Sequence, residues 1–474
     1  MNLPRSARNG LDDAFKRSVR NFSKNIAITY KDRAWTFAEI DGAVQRVADF
    51  FLNSGLSAGD RLASYGKNSD SYVITFLACI RVGIIHVPVN YALVEEELAY
   101  ILNQSGTKAV FFDPDLSAHV MAVKGQCNAD IFGTLRDGSD KDILAVALGS
   151  NYPLLAERDV EPTDCVQLMY TSGTTSHPKG AIMTHQCLWS QYLSCIIHFH
   201  FRSEDIQLAA LPLYHTAQMH AFVFPFLLVG ATTILIDAPI PDVYFPIFEQ
   251  HKVTAFFAPP TVWIGMLRHA DFDRYDLSSL QKAYYGASIM PESIVKELEQ
   301  RLPSAGLYNC YGQTELSPLA TVLLPEQHQA RPTSAGKPVL NVETRIVNQQ
   351  MEDVAVGERG EIVHRSPHIM QGYWEKPEET AEAFTGDWFH SGDLGVMDDE
   401  GYIYIVDRIK DVINTGGVLV ASRDVEEVLY RHPSVAEVAV IALDDEKWIE
   451  AITAVVILKE GCTLTSAELI DFAR

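Results

Sequence analysis

From Ile206 to Ile236 the chain carries no Asp, Glu, Lys or Arg. A run of that length has two homes: the hydrocarbon of a bilayer, or the interior of a packed protein. Pro212, Pro225 and Gly230 interrupt it, and His215, Gln218 and His220 put polar groups inside it. A spanning helix must satisfy its backbone and shelter its polar side chains, so the run is expected to fold as a buried helix plus a strand. It therefore demands a large core. The chain has 474 residues, 47% hydrophobic and 21% charged, which fits a soluble globular protein of two or more domains or subdomains.

The flanking pattern says how that core is built. "TFAEIDGAVQRVADFFLNSG" repeats apolar residues at Phe37, Ile40, Val44, Val47 and Phe51 and stops at Gly55, an amphipathic helix with a glycine terminator. "IIHVPVN" and "KAVFFDP" read as strands around a helix in "LVEEELAYILNQSG". "ATTILID", "VTAFFAPP" and "LQKAYYGAS" read as strands, and "PESIVKELEQRL" as a helix opened by proline. Such alternation predicts α/β architecture with substantial parallel sheet. After about Pro338 short antiparallel strands follow, "VETRIVN", "GEIVHRSP" and "GVMDDEGYIYIVDR", the last folded over a "DDEG" turn. Beyond "DRIKD" a helix, two strands and a final helix make a small α+β module. The expected organisation is a large N-terminal domain over 1–409, made of α/β subdomains plus a small β-barrel-like part. A small, mobile α+β domain over 410–474 follows; it stops mid-helix and is expected to be truncated.

Basic side chains number 38 and acidic ones 61, a net charge of −23. That balance argues against nonspecific nucleic-acid binding and against an anionic membrane surface. An anionic ligand would need local positive charge or a metal ion. Seven scattered cysteines have no short paired spacing, so neither a disulfide framework nor a zinc site is indicated. "MNLPRSARNG" lacks a signal-peptide core, and a cytoplasmic location is expected.

One stretch stands apart in texture: "YTSGTTSHPKG", Tyr170 to Gly180. It joins a strand-like "CVQLMY" to a β-rich "AIMTH". Gly173 and Gly180 let backbone N–H groups approach an anion, and Thr171, Ser172, Thr174, Thr175 and Ser176 offer hydroxyls. Lys179 adds charge. Gly173 and Lys179 have the spacing of the common nucleotide loop, but Pro178 stands where its second glycine would be and Gly180 replaces its metal-binding hydroxyl. The residues alone allow a phosphate loop of another kind or a solvated Ser/Thr turn.

"YTSGTTSHPKG" resembles the signature of the acyl-adenylate-forming enzymes, with Ser176 where that family has glycine. "LPLYHTAQ", "YYGAS", "YNCYGQTE", "HSGDLG", "VDRIKD" and "NTGG" resemble its further motifs, in its order. The resemblance implies an AMP-forming acyl-CoA synthetase of the fatty- or aryl-acid branch. Such an enzyme is an acid–thiol ligase that makes acyl-AMP from ATP and a carboxylic acid and then passes the acyl group to CoA. It also implies site residues. Lys179, Thr314, Glu315 and His215 are the implied catalytic set, with Glu315 holding Mg2+ through a hard oxygen. Thr171, Ser172, Gly173, Thr174, Thr175, Lys179, Gly286, Ala287, Ser288, Asn309, Tyr311, Gly312, Thr314, Asp393 and Arg408 are implied for ATP and AMP. Bland readings stand beside these: a solvated Glu315, a core Tyr311, a linker salt bridge at Arg408.

His215, Met219, Phe257 and Tyr285 are expected to line the acyl pocket, with Trp189 and Phe222 as further walls. Lys410 falls at the implied hinge, and Gly416 and Gly417 would approach the pantetheine arm of CoA. Val418-Leu419-Val420 departs from the family's usual Glu-Asn-Val. The family's terminal lysine would lie beyond Arg474. "HFH" at 198–200 is read as satisfied histidines, not metal ligands. The rival readings are a luciferase-like or amino-acid-activating enzyme, and a non-catalytic nucleotide or acyl-AMP binder. "LPLYHTAQMHAF" holds no acidic residue to pair a substrate amine. The expected partners are a small carboxylic acid and no nucleic acid, with no transmembrane segment; a homodimer is compatible with the resemblance.

Overall fold

The computed structural model describes residues 10–137, 141–150, 155, 158–171, 177–415, 418–445, 448–459 and 461–473. Two largely parallel sheets form the large domain. The nine-stranded sheet runs Lys337–Pro338, Leu319–Leu323, Gly306–Gly312, Lys282–Gly286, Ala255–Ala258, Ile206–Ala209, Thr232–Leu235, Ile26–Tyr30 and Arg33–Thr36. It is parallel from Gly306–Gly312 to Ile26–Tyr30 and antiparallel at both ends. The six-stranded sheet runs Ile131–Thr134, Thr107–Phe112, Arg61–Tyr65, Ile85–Val89, Cys165–Thr171 and Lys179–Thr184; only the last strand is antiparallel.

The main core lies between these sheets and is filled by helices Phe37–Asn53 and Asp70–Val82. The first begins with a capping box: Thr36 Oγ1 accepts from the Glu39 N–H, and the Glu39 carboxylate accepts from the Thr36 N–H. The second is buried at every position, charges included. Asp70 accepts from Arg33 at 2.7 and 2.9 Å and from the Trp35 indole at 2.8 Å, while Arg81 donates to Asp12 and Asp41 at 2.9 and 2.6 Å. Each buried charge thus has several hydrogen-bond partners, without which its desolvation would be prohibitive.

The charge-free run is strand Ile206–Ala209, a π-helical turn Ala217–Val223 continuing as α-helix Phe224–Val229, and strand Thr232–Leu235. The expected helix and strand are there, preceded by a strand that periodicity did not separate. Pro212 intervenes between strand and helix, and Gly230, at φ +84°, ends the helix. Among the described residues no helix is long and apolar enough to cross a membrane.

A third, antiparallel sheet holds Glu343–Val347, Gly360–Arg365, Phe384–Thr385, Trp388–Met397 and Ile403–Arg408. The small domain contributes a fourth, of Ile413–Thr415, Val418–Val420, Val435–Asp445 and Ile449–Leu458, with helix Ser422–Tyr430 against it. Asp407 accepts from the backbone N–H and hydroxyl of Ser422, at 2.6 and 2.9 Å, and so satisfies the start of that helix from the preceding strand.

A buried polar chain crosses the main core. Tyr192 donates to His220 Nδ1 at 2.7 Å, His220 Nε2 to Gln167 Oε1 at 2.6 Å, Gln167 Nε2 to His86 Nδ1 at 2.9 Å, and His86 Nε2 to Ser64 at 2.9 Å. The Gln167 amide offers one donor face and one acceptor face and so fixes both tautomers. Burial lowers both histidines to about 3. The unfolded chain takes up these protons first, so the stability is complete above the ordinary histidine pKa near 6.5 and is lost as pH falls toward 3. Urea unfolding at about pH 5 should therefore show about 2 kcal/mol less stability per histidine than at about pH 7.5; equal midpoints would contradict neutral burial.

Candidate active site

A cleft of about 1180 Å³ opens at the carboxyl ends of the parallel strands, where Leu211, Pro259 and Ala287 follow their strands. Three regions of wall meet in it.

The first is built on strand Gly306–Gly312. Its neighbours come so close that side chains are excluded: a Cβ on Gly286 would lie 2.2 Å from the Cys310 carbonyl oxygen, and one on Gly312 would lie 1.9 Å from that of Pro318. Ala287, at φ +66°, turns the chain out into the cleft. Tyr311 donates to Asp393 Oδ2 at 2.6 Å, and Arg408 Nε donates to Asp393 Oδ1 at 2.6 Å. Burial pushes the Asp393 carboxyl above its ordinary range, although Arg408 and Tyr311 pull it down. Next to this group Glu361 accepts from the Gly392 N–H at 3.1 Å and pairs with His390 Nδ1 at 2.9 Å.

In the second region, Thr171 and Lys179 face each other across the hairpin that carries the hydroxyl-rich loop. Ser172, Gly173, Thr174, Thr175 and Ser176 lie outside the described residues. Lys179 Nζ sits 5.1 Å from the Tyr373 ring centroid, and Tyr373 donates to Glu315 Oε1 at 2.8 Å. Burial and the Glu315 charge raise the Tyr373 hydroxyl well above its ordinary value, which keeps it a donor. Thr216 donates to Thr314 at 3.2 Å, and beside it His215 faces the cleft. The His215 ring is reachable by solvent yet crowded by protein, and that burial lowers its pKa.

The third region is apolar: Leu211, Ala217, Ala221, Phe222 and Phe257, with Phe222 stacked on Phe257 at 4.4 Å.

The structure thus gathers Thr171, Lys179, His215, Phe222, Phe257, Ala287, Tyr311, Gly312, Thr314, Glu315, Arg408 and Lys410 around one cavity, with Gly286 and Asp393 directly behind. It leaves others aside. Met219 is not a cleft wall: the π-turn faces it into the core, where its sulfur accepts from Gln167 at 3.5 Å. Tyr285 also points away, into a separate core behind the sheet, with its hydroxyl 3.0 Å from His328. Trp189 packs on the main core under Arg17. Asn309 donates to the Ser334 carbonyl at 2.8 Å and, like the exposed Ser288, is not part of the lining. Gly416 and Gly417 lie outside the described residues. His198 accepts from the Leu340 N–H and His200 pairs with the Tyr308 hydroxyl. Among the described residues no cluster of three or more metal-ligating side chains occurs.

Sequence reading missed Tyr373, Thr216, Gln218, Glu361 and His390. Tyr373 lies 58 residues from Glu315 in sequence, and no local spacing links them.

Residues 15–374 match the family described as AMP-binding enzyme, and residues 424–474 match its C-terminal domain. The chain is 33% identical over 459 residues to a feruloyl-CoA synthase of Amycolatopsis, covering 97% of this chain and 90% of that protein. It is 32% identical over 437 residues to a long-chain-fatty-acid–CoA ligase of Mycobacterium tuberculosis, covering 91% and 84%. The fold is similar to that of the o-succinylbenzoate CoA synthetase of Bacillus subtilis in complex with its acyl-adenylate intermediate, with TM-score 0.84, 26% identity, and coverage of 97% and 90%.

The close strand contact gives a direct test. Gly286→Ala must push the Cys310 carbonyl away, so it should destabilise the fold by about 1–3 kcal/mol in chemical unfolding. A variant as stable as the wild type would mean that the two strands part freely.

Proposed function

The chain belongs to the AMP-binding enzyme family, and from that premise we propose that it is an ATP-dependent carboxylic acid–CoA ligase working through an acyl-AMP intermediate. A carboxylate oxygen of the acid attacks the α-phosphorus of ATP, and the bond to pyrophosphate breaks. The CoA thiolate then attacks the acyl carbonyl, and AMP leaves. The observation that carries this reading is the meeting of three surfaces in one cleft: the Tyr311–Asp393–Arg408 group, the Lys179–Tyr373–Glu315 group and the apolar branch beside His215.

Two anions have to meet, so positioning and charge neutralisation carry most of the work. Asp393 and Arg408 suit ribose hydroxyls, since one accepts and the other donates. Tyr311 and Ala287 border the space for adenine. Lys179 and the hydroxyl-rich loop suit phosphate oxygens, and Thr314 the α-phosphate. Thr216 and His215 flank the entrance to the apolar branch, which takes the acyl group. Lys410 lies on the cleft at the start of the proposed small domain, 410–474, whose rotation would admit CoA after adenylation.

Glu315 fits a hard divalent cation: Tyr373 occupies one of its carboxyl oxygens, and the other remains for the metal. A single protein carboxylate suits Mg2+, which keeps its waters and binds through substrate phosphates. When bound, the ion would supply positive charge across those phosphates. The seven free cysteines support a reducing, cytoplasmic setting.

Acid-dependent pyrophosphate–ATP exchange, followed by detection of the CoA thioester, tests the reading; exchange without thioester would move the protein to another adenylating activity. Glu315→Gln should lower exchange by about 10²–10³. Asp393→Ala should raise the KM for ATP about tenfold or more, with a smaller effect on the KM for the acid. Equal changes in both KM values would count against a ribose-binding Asp393.

A further inference from the structure

One polar group in the apolar branch is left over by the mechanism. Gln218 sits on the π-turn between Ala217 and the stacked Phe222, lines the cleft, and is 1% exposed. Its Oε1 accepts from the Leu211 N–H at 3.2 Å. That bond fixes which way round the amide lies, because the nitrogen cannot accept. Nε2 is then committed as a donor, and among the described residues it has no hydrogen-bond partner. A buried donor left unmade costs about 1–3 kcal/mol, and such groups in native structures call for an explanation.

We propose that Gln218 is a specificity-determining residue: its amide nitrogen donates to an oxygen on the acyl part of the substrate. The acid preferred by this site then carries a hydroxyl, ether or carbonyl oxygen in addition to its carboxylate. The assignment rests on the ligase reading above and narrows it. The nearest walls support it. Ala217 and Ala221 are small, and Phe222 and Phe257 offer flat apolar surface on which a tail can lie near the amide. The carboxylate end is served separately, at the entrance flanked by Thr216 and His215. A pure hydrocarbon tail would bury the donor dry, and a site built to hydrogen-bond a substrate oxygen rejects the analogue lacking it far more strongly than a difference in size could.

The π-turn is what places this amide. A π-turn inserts an extra residue into a helix and is frequent at functional sites. Here it sets Gln218 facing the cleft while Met219 and His220, the next two residues, face the core.

The test uses pairs of acids of matched length that differ by one oxygen: cinnamic acid against its ring-hydroxy and ring-methoxy forms, and octanoic acid against its keto forms. The readout is kcat/KM for pyrophosphate release by the intact protein. For at least one pair the wild type should favour the oxygen-bearing acid by about tenfold or more, and Gln218→Met should cut that ratio to within about threefold. The ratio is internal to each protein, so partial misfolding of the variant does not alter it. Gln218→Glu, which keeps an acceptor for Leu211 N–H but loses the amide donor, should also reduce the ratio. Ready turnover without discrimination in any pair, or an unchanged ratio in Gln218→Met, overturns the role of Gln218 and leaves the ligase reading intact. Failure of every acid to give pyrophosphate or thioester overturns the ligase reading and this assignment with it.

Discussion

The hydrogen bond from Tyr311 to Asp393 holds the site together. Tyr311 belongs to the nine-stranded sheet and Asp393 to the antiparallel sheet that follows it. Their contact, with Arg408 on the far oxygen, ties the two sheets with a gap between them. Asp393 is almost fully buried, and its charge is tolerated because two donors meet it. The same geometry brings the start of the proposed small domain to the cleft, since Arg408 is directly followed by Ile409 and Lys410 in the lining. The wall proposed for the nucleotide and the proposed joint between domains are thus consecutive pieces of chain.

A second set of contacts joins the six-stranded sheet to the same cavity. Lys179 ends the loop hairpin of that sheet, Tyr373 lies under its amine, and Glu315 follows the end of the nine-stranded sheet. Deeper in, the chain Ser64–His86–Gln167–His220–Tyr192 links the six-stranded sheet to the π-turn and to helix His185–His198. Cavity wall and core therefore share an element of the fold. Met219 and His220 face the core, and Gln218 and Phe222 face the cleft, on one turn.

Regular elements were legible where their period was clean. Phe37, Ile40, Val44, Val47 and Phe51 recur at helical spacing, and the helix runs over Phe37–Asn53. The "DDEG" turn sits between strands Trp388–Met397 and Ile403–Arg408 as read. The stretch 206–236 was harder, because an all-apolar sequence has no polar face to report its period. A π-turn adds to this, since it turns side chains away from the positions an α-helix would give them: Met219 is expected as a wall, and Gln218 holds that place. Tyr285 was misplaced for a related reason. Adjacent strand residues face opposite ways, and a strand buried on both sides gives no alternation to tell which is which. Motif resemblance reached residues inside motifs, such as Glu315 and Asp393. It could not reach Tyr373, whose meaning comes from two partners distant in sequence.

The π-turn at Ala217–Val223 also bears on how such a protein diverges. Its surplus residue is held inside one short helix, between two strands whose pairing is set elsewhere. Losing or gaining one amino acid there would bring a different side chain to the cleft while both neighbouring strands kept their register. On the proposed assignment, the choice of acid is therefore separable, along the chain, from the groups that would activate it.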